Sequence, residues 1–185
     1  SPTLGGLPVD PAVRAVLDRA VQVFPGVELA EPDLSGAENA FRVFRAHRFD
    51  RAFGGGPQDA FKPAIAWNVA EGRKLTRADL DRAEADRVRV WQAGLDFFDR
   101  FDVLLAPVSQ VPPFPIEQEY PPYVAGVPQH TYLDWMSSAY HVTMLGAPAL
   151  SVPAGRTPDG LPIGLQIVTR PRSDLLTLQV GAAFE

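Results

Sequence analysis

Four residues within one short stretch carry the side chains of hydroxyl-based hydrolysis: Asp134, Ser137, Ser138 and His141. A serine hydroxyl attacks a carbonyl when an imidazole removes its proton and a carboxylate holds that imidazole in place. The spacing puts Asp134, Ser138 and His141 on one face of a helix. It also argues against a triad. The serine would be the middle member, and the helical rise from Asp134 to His141 is about 10 Å. The imidazole could not bridge the other two groups, so a polar helix face or a pocket edge is expected. Only a break in the helix between Ser138 and His141 would restore an independent hydrolase here.

Other chemistry-bearing residues lead less far. His130, Asp134 and His141 are conceivable metal ligands, but no H-E-x-x-H or similar spacing occurs, and no metal is expected. His47 reads as a packed or surface histidine. Gly54-Gly55-Gly56 lacks both a preceding strand and a following G-K-[ST], so it reads as a hinge and not as a phosphate loop. Pro112-Pro113-Phe114-Pro115 matches P-x-x-P without a flanking basic residue, which is weak ground for a polyproline ligand. Lys62 and Lys74 have no motif around them. The chain has no cysteine, which excludes disulfides, thiolate catalysis and zinc–sulfur sites.

The elements that must position these residues follow from the pattern. A helix is expected from Asp10 to Phe24, with Asp10 as cap and Pro11 at its first position. Its apolar face is Val13, Val16, Leu17, Ala20, Val21 and Phe24. Val27 to Ala30 reads as a short strand. Ser35 is expected to open a helix through about Arg51, and a third helix runs from about Ala60 to Glu71. Thr76 caps a fourth, with Asp79 completing a capping box, that continues to Arg100. Its expected buried stripe is Leu80, Ala83, Val88, Trp91, Leu95 and Phe98, with Asp96 and Arg100 paired at i,i+4. Asp102 to Pro107 is a continuous apolar run, the mark of a strand covered on both faces. Seven prolines between Pro107 and Pro128 imply an irregular wall or lid. A helix is expected over Tyr132 to Leu145, then strands at Ala149–Pro153 and Pro162–Val168 joined by a turn at Pro158-Asp159-Gly160. Ser173 or Asp174 caps a final helix. The class is α/β: a mixed sheet covered by helices, in a single domain over 1–185, with 1–100 mainly helical and 101–185 strands with helices.

Composition narrows the function classes. The chain has 185 residues, 46% of them hydrophobic, and a net charge of −5. Fifteen arginines are interleaved with acids and not clustered, so no basic stripe for nucleic acid is expected. No apolar run approaches the ~20 residues that span a bilayer. The start, Ser-Pro-Thr-Leu-Gly-Gly, has no charged-then-apolar leader, and a cytoplasmic location is the default expectation.

Three phrases carry a resemblance. Phe101-Asp102-Val103-Leu104-Leu105-Ala106-Pro107 is similar to a "yDvLLtPt" strand. The run from Leu145 to Gly155, LGAPALSVPAG, is similar to "ltGxPalsvPaG", and Gly160 to Val168, GLPIGLQIV, to "GlPvGlQlig". In this order they resemble the C-terminal part of the amidase signature family, amide hydrolases whose members include the amidotransferase components that act on glutaminyl-tRNA. Gly6 to Val13 follows the family's "GxxPVDPxV". The resemblance implies the C-terminal portion of the amidase-signature fold, no cofactor and a small-molecule amide substrate. It also implies a Ser–Ser–Lys triad in which one serine attacks, a second relays its proton toward a lysine, and backbone N–H groups hold the oxyanion.

This sequence departs from the family at the point of chemistry. The nucleophile of the family lies in a Gly-Gly-Ser-Ser-Gly-like stretch, and no such stretch occurs here. Ser137-Ser138 has no flanking glycines, and neither lysine matches the base, so no catalytic residue carries over. The family's pocket approaches the proline-rich stretch and the helix before Gly146, which makes Val108, Ser109, Trp135 and Thr143 candidates for substrate-binding wall. The expectation is a C-terminal fragment of a larger amidase, inactive alone. Its partner would be the missing N-terminal half of the same chain, and a homodimer is possible through an exposed sheet edge. A natural non-catalytic scaffold or binding module is the alternative. Neither nucleic acid nor membrane is expected as a partner.

Overall fold

The computed structural model describes residues 1–185, except for the side chain of Gln58. Helix α1 (Pro11–Ala20) begins where Asp10 accepts a hydrogen bond from the Ala12 amide with Pro11 in the first turn, and a 3-10 turn continues it over Val21–Val23. Helices α2 (Ala37–Phe53) and α3 (Pro63–Gly72) pack side by side, and α2 also packs on α4 (Arg77–Phe98). The capping box of α4 is present: the Asp79 amide donates to the Thr76 hydroxyl, and the Thr76 amide donates to the Asp79 carboxylate.

Strand β1 (Val103–Pro107) follows. Then comes a two-residue hairpin of β2 (Tyr123–Val124) and β3 (Val127–Pro128), a 3-10 turn over Asp134–Met136, and α5 (Ser137–Leu145). Strands β4 (Ala149–Arg156) and β5 (Pro162–Thr169) and helix α6 (Asp174–Phe184) complete the chain.

Among the described residues the main sheet has the order β1-β5-β4. Leu105 sits opposite Ile167, and Leu150 sits opposite Ile167 from the other side. Strands β1 and β5 are covered on both faces, which is why they read as continuous apolar runs, whereas the edge strand β4 is largely exposed. Leu104, Ala106 and Val168 face α4 and α5 with Val90, Phe97, Val142 and Leu145. Val152, Leu165 and Ile167 face the other way, onto Val13, Val16 and Leu17 of α1, with Val180 of α6 beside them. Glycine permits the closest approaches. A Cβ at Gly181 would lie 2.2 Å from Leu150 Cδ2, so α6 is pressed directly on β4.

The α/β class and the helix-covered sheet are as expected, and several local expectations need correcting. The three strands of the main sheet pair only antiparallel, so the expected mixing of directions is not found among the described residues. Val27 to Ala30 is extended but has no ladder partner. Ser35 does not cap α2. Gly36 does so at φ 92°, where the Asp86 carboxyl carbon lies 2.9 Å from the position of a Cβ and so demands glycine. The inward face of α4 is Ala83, Asp86, Val90, Gly94, Phe97 and Phe98; Ala83 and Phe98 lie as expected, whereas Val88 and Trp91 are 51% and 41% exposed. Asp96 accepts from Gln92, and Arg100 lies over the Phe101 ring. The proline-rich stretch contains the β2–β3 hairpin, because Ala125 and Gly126 take positive φ at its tip.

Candidate functional site

The segment before α5 is fastened to the helical layer by one carboxylate. Asp134 accepts hydrogen bonds from the His130 amide (2.6 Å), the Thr131 amide (2.9 Å) and the Thr131 hydroxyl (2.6 Å), and it forms an ion pair with Arg42 of α2. Burial pushes this carboxyl up. The bonds from Thr131, from the His130 amide and from Arg42 outweigh burial and hold the pKa at about 2. Beside it, the Tyr132 hydroxyl accepts from Arg45 Nη2 (2.9 Å) and Asn68 Nδ2 (2.7 Å), and the Arg45 guanidinium lies 4.6 Å from the Phe49 ring centre. The sequence reading missed this clamp. Its signal was Arg42 and Arg45 one helical turn apart beside Phe41 and Phe49, which the even scatter of arginines concealed.

Asp134, Ser138 and His141 do not converge. Helix α5 runs unbroken from Ser137 to Leu145. The Ser138 hydroxyl donates to the Val108 carbonyl at 3.0 Å, and the Ser137 hydroxyl lies 2.6 Å from the Tyr140 hydroxyl. His141 is only 7% exposed, and neither ring nitrogen has a hydrogen-bond partner. Burial lowers its pKa below the ordinary histidine range. The nearby Leu4 backbone, short of hydrogen-bond geometry, and Glu38 pull the other way. His130 contributes its amide to Asp134, and His47 lies along α2. Among the described residues no three His, Cys, Asp or Glu side chains group as a metal site.

The four wall candidates divide between two places. Val108 and Ser109 follow β1. The Val108 side chain packs against Gly164, and the Ser109 hydroxyl donates to the Val111 carbonyl at 2.9 Å. Trp135 packs edge-on against Phe114 of the proline-rich wall, with centroids 5.2 Å apart, and its buried indole N–H lacks a partner. Ser138 ties α5 to Val108, so the start of this helix and the segment after β1 form one surface. Thr143 stands apart, exposed near the far end of α5, with its hydroxyl bonded back to the Ala139 carbonyl at 3.1 Å. Gln110, fully buried and not singled out from sequence, joins these parts. It donates to the Pro8 carbonyl and accepts from the Ser138 amide.

Two cavities lie elsewhere. A groove of about 380 Å3 runs between the free edge of β1 and the extended Phe24–Ala30 segment. The second, of about 560 Å3, is walled by the Leu4–Pro8 loop, Glu31 to Gly36, Glu38 and His141. Val108, Ser109, Trp135 and Thr143 line neither.

Comparison with known proteins agrees with the resemblance in the three phrases. The family model described as Amidase matches residues 9–178. An acylamidase of Rhodococcus erythropolis is 33% identical over the whole of this chain, which spans 41% of that protein. A fatty acid amide hydrolase of Medicago truncatula is 32% identical over 64% of this chain and 19% of its own length. The crystal structure of a bacterial aryl acylamidase of the amidase signature family superposes with a TM-score of 0.85 at 22% identity, over 100% of this chain and 42% of that one. The chain therefore spans about two-fifths of the acylamidase and of the aryl acylamidase, and it belongs to the amidase signature family.

Proposed function

We propose that this chain is the sheet-completing, pocket-walling part of an amide hydrolase that releases a carboxylic acid and ammonia or an amine, with 1–185 forming one domain. The supporting observation is the family match across residues 9–178, in a chain that spans 41% of an acylamidase. The nucleophile and its lysine base would come from outside these residues. The bonding of the candidates here fits that reading. Ser137 and Ser138 are committed to Tyr140 and Val108, Lys74 pairs with Glu71 at 2.6 Å, and Lys62 is the exposed residue before α3. The chain alone is then inactive.

The remainder of the enzyme would dock at the free β1 edge. There the groove and the exposed Val27 and Leu29 present apolar surface beside a strand edge that, among the described residues, carries no neighbouring strand and is met by the Ser1 ammonium at the Leu105 carbonyl. The site contribution of this chain is Val108, Ser109 and Trp135, with Thr143 at the far rim. The Trp135 indole N–H, buried without a partner, would be available to an amide or acyl oxygen of substrate.

The test is hydrolysis of a panel of aryl and aliphatic amides by this 185-residue chain and by the intact polypeptide that carries it. Turnover by the intact polypeptide alone is expected, and Trp135→Phe in it should raise KM more than it lowers kcat. Turnover by the isolated chain, abolished by a serine-directed inhibitor, would overturn the reading.

A further inference from the structure

The nitrogens of the Arg42 guanidinium go to three different places. Nε donates to Glu38 on the same helix at 2.8 Å, Nη1 to the Thr131 hydroxyl at 3.3 Å, and Nη2 to Asp134. Glu38 therefore aligns the group from within α2, and the other two nitrogens reach across to the segment before α5. A planar fork used in this way fixes direction as well as distance, which the point charge of a lysine does not. Apolar packing would hold the same segment against α2 without the cost of desolvating two charges.

Asp134 divides its two oxygens between two tasks. Oδ2 accepts from the His130 and Thr131 amides and closes the turn on itself, whereas Oδ1 accepts from the Thr131 hydroxyl and from Arg42. The Asp134 carbonyl in turn accepts from the Ser137 hydroxyl at 2.8 Å. Trp135 is the next residue, so its backbone leaves a residue held at both side chain and carbonyl. Its half-buried ring meets Phe114 edge-on, at 86° and 5.2 Å between centroids. Phe114 stands between Pro113 and Pro115, whose fixed φ stiffens that side of the contact. The angle of the pair is then set from the Trp135 side, through Asp134.

We propose that Arg42 is a positioning residue for the pocket wall: acting through Asp134 and Thr131, it sets the angle at which Trp135 meets Phe114 and so the shape offered to substrate. The role rests on the amide-hydrolysis reading, in which Trp135 faces the substrate.

The test has two arms. In this chain, Trp67→Phe with Trp91→Phe leaves Trp135 as the sole tryptophan. Adding Arg42→Lys, which keeps the charge and loses the fork, should move the Trp135 emission to longer wavelength and at least double its quenching by acrylamide. Thr131→Val, a milder change, should shift both readouts the same way by less. Val90→Ala, which loosens the core under α4, should shift neither. In the intact polypeptide, Arg42→Lys should raise KM for acetanilide or butyramide at least about threefold with kcat within about twofold, the mark of lost uniform binding, while Val90→Ala leaves KM unchanged. Unchanged Trp135 emission in Arg42→Lys, or an equal change in Val90→Ala, would overturn the positioning role whether or not amides are hydrolysed. Turnover with KM unaltered by Arg42→Lys would overturn it and leave the amide-hydrolysis reading standing. No turnover by the unaltered intact polypeptide would overturn that reading, and this role with it.

Discussion

Asp134 gathers two backbone amides, a hydroxyl and a guanidinium onto one carboxylate, and this fixes its charge over an unusual pH range. Its pKa is depressed from 3.8 to about 2 in the folded chain. A depressed carboxyl contributes stability that is fully present above its unfolded pKa and is lost as pH falls through the folded value. Urea unfolding of the chain and of Asp134→Asn should therefore differ most at neutral pH. The gap should narrow between about pH 4 and about pH 2. A gap that stays constant across that window would mean the carboxylate charge does not hold the segment. Sequence set this residue on a polar helix face or pocket edge and not in a triad. Local spacing shows Asp134 beside Ser138 and His141, but its real partner Arg42 lies far away along the chain on another helix. His141 was legible as part of a polar helix face or pocket edge, but its burial depends on packing against residues distant in the chain, which local spacing does not show.

At the level of elements, α4 shows how a correct boundary can carry a wrong face. Thr76 and Asp79 fix its start because capping is local. Its buried side is set by packing, and there Asp86 and Gly94 replace the apolar residues a pattern looks for. Asp86 is held by Asn39 and Arg89, and Gly94 admits Leu145 of α5, whose Cδ2 lies 2.9 Å from where a Cβ would sit. Val90→Ala should cost about 2 kcal/mol in chemical denaturation, whereas Val88→Ser should stay within about 0.5 kcal/mol. Equal losses would restore the face read from sequence. A sharper case is the contact of α2 with α3. A Cβ at Gly72 would lie 2.3 Å from the Ala46 carbonyl oxygen, a backbone atom that cannot turn aside. Gly72→Ala should lower stability by about 1–3 kcal/mol despite the higher helix propensity of alanine, and a gain in melting temperature would refute that close approach. Glycine spacing along one helix gives no sign of which neighbour comes so near.

For the whole molecule, the order β1-β5-β4 among the described residues leaves β1 with no strand on one edge, where the Ser1 ammonium donates to the Leu105 carbonyl at 2.9 Å. The three motif phrases fall on β1, on the approach to and along β4, and along β5, so the sheet was the most legible part of the fold. The expected strand at Val27–Ala30 is informative because it fails. The segment is extended and apolar, with Leu29 86% exposed, yet it stands across a groove from β1 with no strand between them. Such an edge with an apolar flank is a surface on which a further strand docks, and in the isolated chain the available donor is a second copy. Sedimentation velocity of the isolated chain should therefore show concentration-dependent self-association. Leu29→Glu puts a charge on an exposed position at the groove, so it should return the chain to monomer with an unchanged melting temperature. Self-association that persists in Leu29→Glu would move the contact to another surface, such as the exposed Leu175 and Leu178 of α6. A chain that is monomeric at all concentrations would show that the β1 edge is closed to partners in solution.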